Sequence, residues 1–565
     1  MKALRKEQLG RSNKQIVRIV LQPEVKKRIE LGGTFANEPI ITAAGKDSLF
    51  VNVAIGEGKD GPCLIKRPGF TSTTINAGQE AFGVYNWKGY SSGAGSSITV
   101  WDDGEIYVAS GQIGDTNIQA DPVYISEGYH ASTICAFITY AGSGWYYPED
   151  AGLAGATFVG DTTSGSANVT NITSTAGMYI GQLVTGTGIP ASTRIQGIVV
   201  DSDITLTNNA TVTDTGVTLT REGLAKIIDA DFPAEAGKTL VSCIVYKDGY
   251  LFVLTKDGRI YNSSINSVNA WPGDFISTNE YADLGTGLTL YHNLIVAFNE
   301  FSTMFFEIVS ASGSPLQRVG QLSNRVGADS QNHIVVADNT VYWIGKTDSG
   351  PLGLWRFNGF QPERISETEL DIFLSKTTFL YLSVVSLYGR QIALFSPDSG
   401  TNNFTLVYDI KDKVIMWWVL ANDATAHIRQ AVSLGGADTI RFIVDEDTGK
   451  YYLMNALGST WQDDGSNTTA TIQTTQLDFL SSLRKRLFKL WVVGDVQSSA
   501  TTVAISWSDD DYVTFNTARN VDMANTNRYL NGCGMFRRRA FKLTNTSNTP
   551  LRIEALDLEI EEMEH

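Results

Sequence analysis

The sequence predicts an all-β protein, and three observations carry that prediction. Its 565 residues include 53 glycines with frequent Thr, Ser and Asn, while long Glu/Lys/Leu runs of helical spacing are scarce. Aromatic residues are abundant (25 Phe, 22 Tyr, 11 Trp), and they suit pleated, half-buried surfaces. Short β-rich runs are punctuated by Asp-Gly pairs, which supply the positive φ angles of tight hairpins. A hydrophobic content of 42% against 18% charged residues describes a globular chain, and its length calls for several domains.

Residues 1–60 are read as an N-terminal arm followed by platform strands. The first thirty residues hold nine Lys/Arg against three acids, whereas the tail IEALDLEIEEMEH holds six acids and no Lys or Arg. Ends of opposite sign can meet within one subunit or between neighbours. The start, MKALRKEQLGRSNK, has no apolar core of signal-peptide length, and no segment approaches eighteen apolar residues, so no stable membrane insertion is expected.

Residues 61–157 and 221–465 are read as two parts of one propeller-like domain. The clearest unit is VSCIVYKDGYLFVLTKDGRIYNSSI, Val241 to Ile265, where two Lys-Asp-Gly turns separate three strands. The stretches SITVWDDGEIYVAS, IVVADNTVYWIGKT, GLWRFNGFQPERI, FTLVYDIKDKVIMWWVL and RFIVDEDTGKYYLMN repeat the strand-turn-strand form. Repeated small meanders suggest β-propeller blades, with stacked sandwiches as the alternative, and the repeats are too degenerate to count.

Residues 158–220 break the pattern. This block has no Lys or Glu, one Arg and four Asp, and is dense in Thr and Gly. Such a shift marks an inserted module, expected to be a small β-sandwich. Its stretch GSANVTNITSTAGMYIGQLVTGTGIPASTRI is similar to Ig-like modules inserted in phage structural and bacterial surface proteins. That resemblance implies exposure on a particle, as decoration or as a glycan grip. Residues 466–565 alternate over longer runs and are read as a closing platform β-sandwich.

Two basic repeats stand out in an acidic chain of formal net charge −16: LRKRLFKL (483–490) and FRRRAFKL (536–543). Strand alternation puts Arg484 and Arg486 on one face with Phe488 and Leu490, and Arg537 and Arg539 on one face with Phe541 and Leu543. Lys485, Lys489, Arg538 and Lys542 are then expected to face solvent. Gathered arginines need carboxylates or phosphates. Three readings stay open: ion pairs with acids of the same or a neighbouring subunit (Glu559, Glu561, Glu562), a solvated rim, or contact with DNA. The four arginines and three glutamates are thus candidate assembly contacts.

Nothing in the sequence advertises catalysis or a cofactor. Five histidines (130, 292, 333, 427, 565) have no motif partner nearby, and HExxH, GxSxG and phosphate-loop signatures are absent. The acidic turns DEDTG (445–449) and SDDDY (508–512) complete no EF-hand loop. Four widely spaced cysteines with no CxxC read as isolated thiols of a reducing compartment.

The order of several stretches resembles a family. DSLFVNVAIGEGKDGPCLIKRPGFTSTT (47–74) has a hydrophobic-Asn-hydrophobic strand, an acid, a Gly-containing loop and a Pro-Gly-apolar turn. LTLYHNLIVAFNEFSTMFFEIVSASGSPLQRV (288–319), the run from Val319 to Ser366, and the C-terminal WSDDDYVTF, RRRAFKL and LRIEALDLEI follow in the same order. This is similar to the tail hub, or nozzle, proteins of short-tailed bacteriophages, also called packaged-DNA stabilization proteins. The resemblance implies a non-enzymatic virion tail protein made in the host cytoplasm. It would form a homohexamer below the head-to-tail adaptor ring, extend the double-stranded DNA conduit, and dock fibres, tailspikes or a needle. It names no gate residues. Rival readings are a carbohydrate-binding tail fibre or adhesin, and a glycan-cleaving propeller enzyme.

Overall fold

The structure is a computed structural model. It describes residues 7–8, 14–20 and 49–563, apart from 59–60, 89–95, 118–121, 131, 141, 310–312, 321, 377, 398–403, 424, 435–437, 459, 480–481 and 498. Nearly every element is a strand; among the described residues one α-helix appears, Thr368–Lys376.

Seven small antiparallel sheets form a ring. The first blade runs through Ala81–Trp87, Ser96–Trp101, Glu105–Val108 and Gly111–Asp115. The second begins with Val123–His130, Thr133–Tyr140 and Ser143–Pro148, and takes its fourth strand from the end of Asp214–Lys226. The third spans Val245–Lys247 to Phe275–Ser277, the fourth Gly285–Tyr291 to Leu316–Arg318, and the fifth Ile334–Ala337 to Gln361–Arg364. The sixth runs from Phe379–Leu387 to Val414–Trp418, and the seventh starts with Ile428–Leu434, Thr439–Val444 and Lys450–Asn455. The first strand of each blade lies against the first strand of the next, and the seventh lies against the first, which makes the described strands a closed seven-bladed propeller.

Local chemistry explains the blades. At the first Lys-Asp-Gly turn, Asp248 and Gly249 have φ of 50° and 86°, the pair of positive angles that a two-residue hairpin needs. Blade faces then pack on one another. Phe252, Leu254 and Ile260 of the third blade share a buried cluster with Leu288, Ile295 and Phe306 of the fourth. Each such side chain contributes about 1.5–3 kcal/mol by leaving water.

The seventh blade is completed from far away in sequence. Its outer strand is Phe70–Thr74, paired antiparallel with Lys450–Asn455. The preceding strand, Gly61–Lys66, lies in the platform, so the platform's first segment reaches past residue 60.

The module near 158–220 shares its sheet with the second blade. Ala156–Thr162, Asn168–Thr170, Asp203–Leu206 and Ile195–Val199 follow in pairing order from Asp214–Lys226, and Gln182–Gly186 pairs with the other side of that strand. A bridge between Leu183 and Arg194 brings the sheet back on itself around Val169, Val184, Ile195, Ile204 and Leu219. The 13-residue strand serves blade and module together, so the two are coupled without a linker there. Gly181 (φ 93°) sits where a Cβ would fall 1.9 Å from the Lys226 carbonyl oxygen; only glycine allows that approach.

The platform is a sandwich of two sheets built from both ends of the chain. One sheet holds Lys14–Val20, Arg552–Glu562, Lys485–Gly494, Tyr529–Asn531, Met535–Phe536, Gly61–Lys66 and Val53–Gly58. The other holds Leu49–Val51, Ala470–Gln473, Ala540–Asn545, Thr502–Ser508 and Arg519–Asp522, and continues into the sixth blade where Val51 meets Trp417. Leu487, Leu490, Leu556 and Leu558 of the first sheet meet Ile472, Ile505, Phe541 and Leu543 of the second. The oppositely charged ends do meet within one subunit: the register sets Lys14 opposite Glu561 and Arg18 opposite Asp557. The rest of the basic arm lies outside the described residues. All four cysteines are free thiols.

Candidate functional site

The two arginine repeats lie in opposite sheets of the sandwich and come together only at their starts. Phe536 pairs with Lys485 and Met535 with Arg486, while the Lys485 ammonium donates to the Leu483 and Arg537 carbonyls at 3.0 Å each. Lys485 is therefore buried, contrary to the solvent-facing placement expected from alternation. The reason is a register break between Leu487 and Lys489: it adds a residue, so Lys485 and Leu487 point inward before it and Leu490 after it. Burial lowers the Lys485 ammonium below its ordinary range, opposed by the charges of Glu562 and Asp478.

In the second repeat Arg537 and Arg538 occupy a bend, and regular strand begins at Ala540. Arg539 does share its inward face with Phe541 and Leu543. Its guanidinium forms two bonds to the Asp509 carboxylate (2.6 and 2.7 Å), one to the Cys533 carbonyl (2.5 Å), and lies over the Phe536 and Trp507 rings. The buried guanidinium thus pairs with half-exposed Asp509 and not with the expected glutamates, which takes Arg539 out of the candidate assembly contacts. Arg484, Arg486, Arg537 and Arg538 remain exposed. Glu561 stands opposite Arg486 in the register, Glu562 opposite Lys485 and Glu559 opposite Lys489, yet among the described residues those four arginines have no ion pair. Leu483 and Met535, 46% and 55% exposed, lie beside them. The result is one basic, partly apolar end of the platform.

The stretch 47–74 builds the seam between platform and propeller. Asn52 adopts φ 52° at the end of its strand; its side-chain oxygen accepts from Arg67 Nε (3.0 Å) and Val419 N (2.9 Å), and its amide donates to the Thr469 carbonyl. Arg67, completely buried, also forks onto Asp463 with bonds of 2.8 and 2.5 Å. Asp463 further accepts from Ala421 N and Thr468 Oγ1. Next to it, Gly69 runs so close to Gln462 that a Cβ would lie 2.1 Å from its carbonyl oxygen. The acid of the motif, Glu57, bonds Lys411 (2.8 Å) and Arg390 (2.9 Å), and the Lys411 bond and charge hold its carboxyl below the usual range. Arg390 in turn forks onto buried Asp409. Asn, Glu, Arg and Gly of the motif are thus all joints.

Lys66, also buried, donates to Asn545 Oδ1 (3.1 Å) and the Ser547 carbonyl (2.7 Å). Burial, with the Arg67 charge beside it, brings its ammonium down to about 8. Between that value and the ordinary 10.5 the unfolded chain binds more protons than the folded one, so this group adds stability as pH rises from 8 toward 10. Comparing wild type with Lys66→Met in denaturant at pH 7.5 and 9.5 should show the difference moving in favour of wild type by about 1–3 kcal/mol. A pH-independent difference would sink this.

Sequence reading missed a buried trio. His427 Nε2 lies 3.1 Å from Ser396 Oγ and Nδ1 lies 2.8 Å from Asp445 Oδ2, the residue types and order of a hydrolytic triad. Ser396 and His427 are 2% and 1% exposed, so no substrate carbonyl reaches the hydroxyl. The trio instead ties the sixth blade to the seventh. His333 makes the matching tie between the fifth and sixth blades, with Nε2 2.9 Å from the Phe379 carbonyl and Nδ1 3.5 Å from Asp329. Separations of 31 and 46 residues hid both partners from a local search.

The solved structures similar to the chain include the computationally designed Ika8 protein (11% identity, 68% of this chain and 99% of that one, TM-score 0.30). BamB from Moraxella catarrhalis (10%, 68% and 96%, TM-score 0.32) and Raptor from Chaetomium thermophilum (11%, 69% and 29%, TM-score 0.34) are others. At these scores none carries an argument. No curated protein sequence matches. Residues 167–427, from inside the inserted module to the start of the seventh blade, match the family model described as Phage_stabilise, "Bacteriophage P22 Gp10, beta-propeller". That match, on a chain whose described strands close a propeller, supports a phage tail structural protein.

Proposed function

We propose that this chain is the nozzle subunit of a short phage tail, a homohexamer below the head-to-tail adaptor ring that extends the DNA conduit, retains packaged DNA and passes it during ejection. The observation that carries this reading is the match of residues 167–427 to the P22 Gp10 propeller model. Two physical features support it. Each copy brings a formal charge of −16, and an acidic lumen repels phosphate, so duplex DNA slides instead of binding by counterion release. The platform is locked to the propeller by the Arg67–Asp463 seam, which suits a subunit that bears load. Fibres or tailspikes dock on the outer surface, where the Thr/Gly-rich module projects as decoration.

No chemistry is assigned to the chain. The triad-like arrangement is sealed, and a fluorophosphonate probe should leave Ser396 unlabelled in the folded protein. Electron microscopy of the chain with its adaptor ring is the decisive test. Sixfold rings with a lumen wide enough for duplex DNA are expected; trimers or monomers that ignore the adaptor overturn the reading.

A further inference from the structure

We infer that the basic end of the platform, Arg484, Arg486, Arg537 and Arg538 around Leu483 and Met535, docks onto the acidic corner where the first and seventh blades of a second copy meet. This rests on the ring proposed above and names the two surfaces that join its subunits.

Four exposed guanidiniums with no ion pair among the described residues are out of keeping with a chain of net charge −16. The buried arginines of the seam and platform have each found a carboxylate: Arg67 has Asp463, Arg390 has Asp409, and Arg539 has Asp509. The exposed four stand together at one edge, and like charges held together favour an anionic neighbour. Leu483 and Met535 decide between anions. Apolar side chains among the arginines gain nothing against a phosphate backbone, but they form the centre of a protein contact rimmed by charge.

The same chain presents the complement. The turn between the middle strands of the first blade carries Asp102, Asp103 and Glu105, and Asn76 joins it to the seventh blade, donating from Nδ2 to Asp103 (2.8 Å) and from its backbone N–H to the Gly449 carbonyl (3.2 Å), close to Glu446 and Asp447. The Thr425 hydroxyl in turn lies 2.6 Å from Asp423 and 2.7 Å from Glu446. Nearby cations are already engaged: Arg429 with Glu80 and Lys450 with Asp464. These carboxyls crowd one another. Burial and the Asp423 carboxyl raise Glu446, and burial with the Asp103 and Asp447 charges raises Asp102, so incoming arginines relieve the repulsion. The two surfaces belong to different parts of one subunit, so the contact is heterologous, and repetition closes into a ring when the rotation closes.

The test is charge exchange in the full-length chain, read by sedimentation velocity at several salt concentrations, with melting temperature as the folding control. R537E/R538E and E446K/D447K should each weaken assembly about tenfold or more, and the fourfold variant should recover most of it. Wild-type assembly untouched by R537E/R538E overturns the docking of the basic end. Loss in both pairs with no recovery in the fourfold variant overturns the choice of corner. A wild-type chain that stays monomeric with and without its adaptor overturns the nozzle reading itself.

Discussion

Arg67→Ala should destabilise the chain by about 3–5 kcal/mol, because it leaves the Asp463 carboxylate buried without its counter-charge. Both side chains are fully inaccessible, and the guanidinium also serves the Asn52 side chain and the Pro68 and Val419 carbonyls. One truncation thus strands acceptors on the platform, on the linker after the sixth blade, and on the strand beside Phe70. Arg67→Lys should recover little, since an ammonium cannot reproduce the two-pronged bond to Asp463. Replacing both partners with apolar residues should recover more than either single change, because it removes the stranded charge. Chemical denaturation checks the magnitude, and a loss below about 1 kcal/mol for Arg67→Ala would refute the seam as a principal lock.

Phe70→Ala should cost a similar amount, about 3–5 kcal/mol, for a different reason. Its ring stands edge-on to Phe442 (5.1 Å) and Tyr452 (5.2 Å), with the Arg67 guanidinium 5.7 Å away. The cavity would open at the strand that completes the seventh blade, so the damage concentrates there. Hydrogen exchange should accelerate across residues 428–455 more than in the third and fourth blades. Uniform acceleration through all seven blades would contradict a local closure role for this strand.

Much of this architecture was legible in the sequence because its information is local. The Lys-Asp-Gly turns specify hairpins by backbone angle, and each strand-turn-strand stretch quoted from the propeller region is a hairpin within a blade. The blade count was not legible, since the seventh blade borrows Phe70–Thr74 from the other end of the chain. The arginine repeats misled for a related reason. Alternation places side chains correctly only in unbroken strands; the register break at Leu487 to Lys489 inverted one copy, and the bend at Arg537 and Arg538 interrupted the other. Identical-looking octets therefore became a buried lysine in one sheet and a buried arginine in the other. The stretch 47–74 shows the opposite case. Its order of residue types was readable as a resemblance, but the physical reason for each position emerged only with partners hundreds of residues away.

That distance has a consequence for how the protein comes into being. Arg67 waits for a partner 396 residues downstream, and Lys66 for one 479 residues downstream. At roughly 5–20 residues per second, a ribosome leaves Leu49–Val51 and Phe70–Thr74 without mates for tens of seconds, with only the hairpin of Val53–Gly58 and Gly61–Lys66 able to form between them. The first blade and the third to sixth can each collapse soon after they emerge, because their strands are neighbours in sequence, while the second waits for the inserted module before its fourth strand arrives. The segment 49–74 cannot, and it carries unpaired strand edges through nearly the whole of translation. Stop codons or stalls in the last hundred codons would release chains whose propeller strands are all made but whose platform sheets lack mates, so truncated products should be insoluble while only the finished chain is competent to assemble.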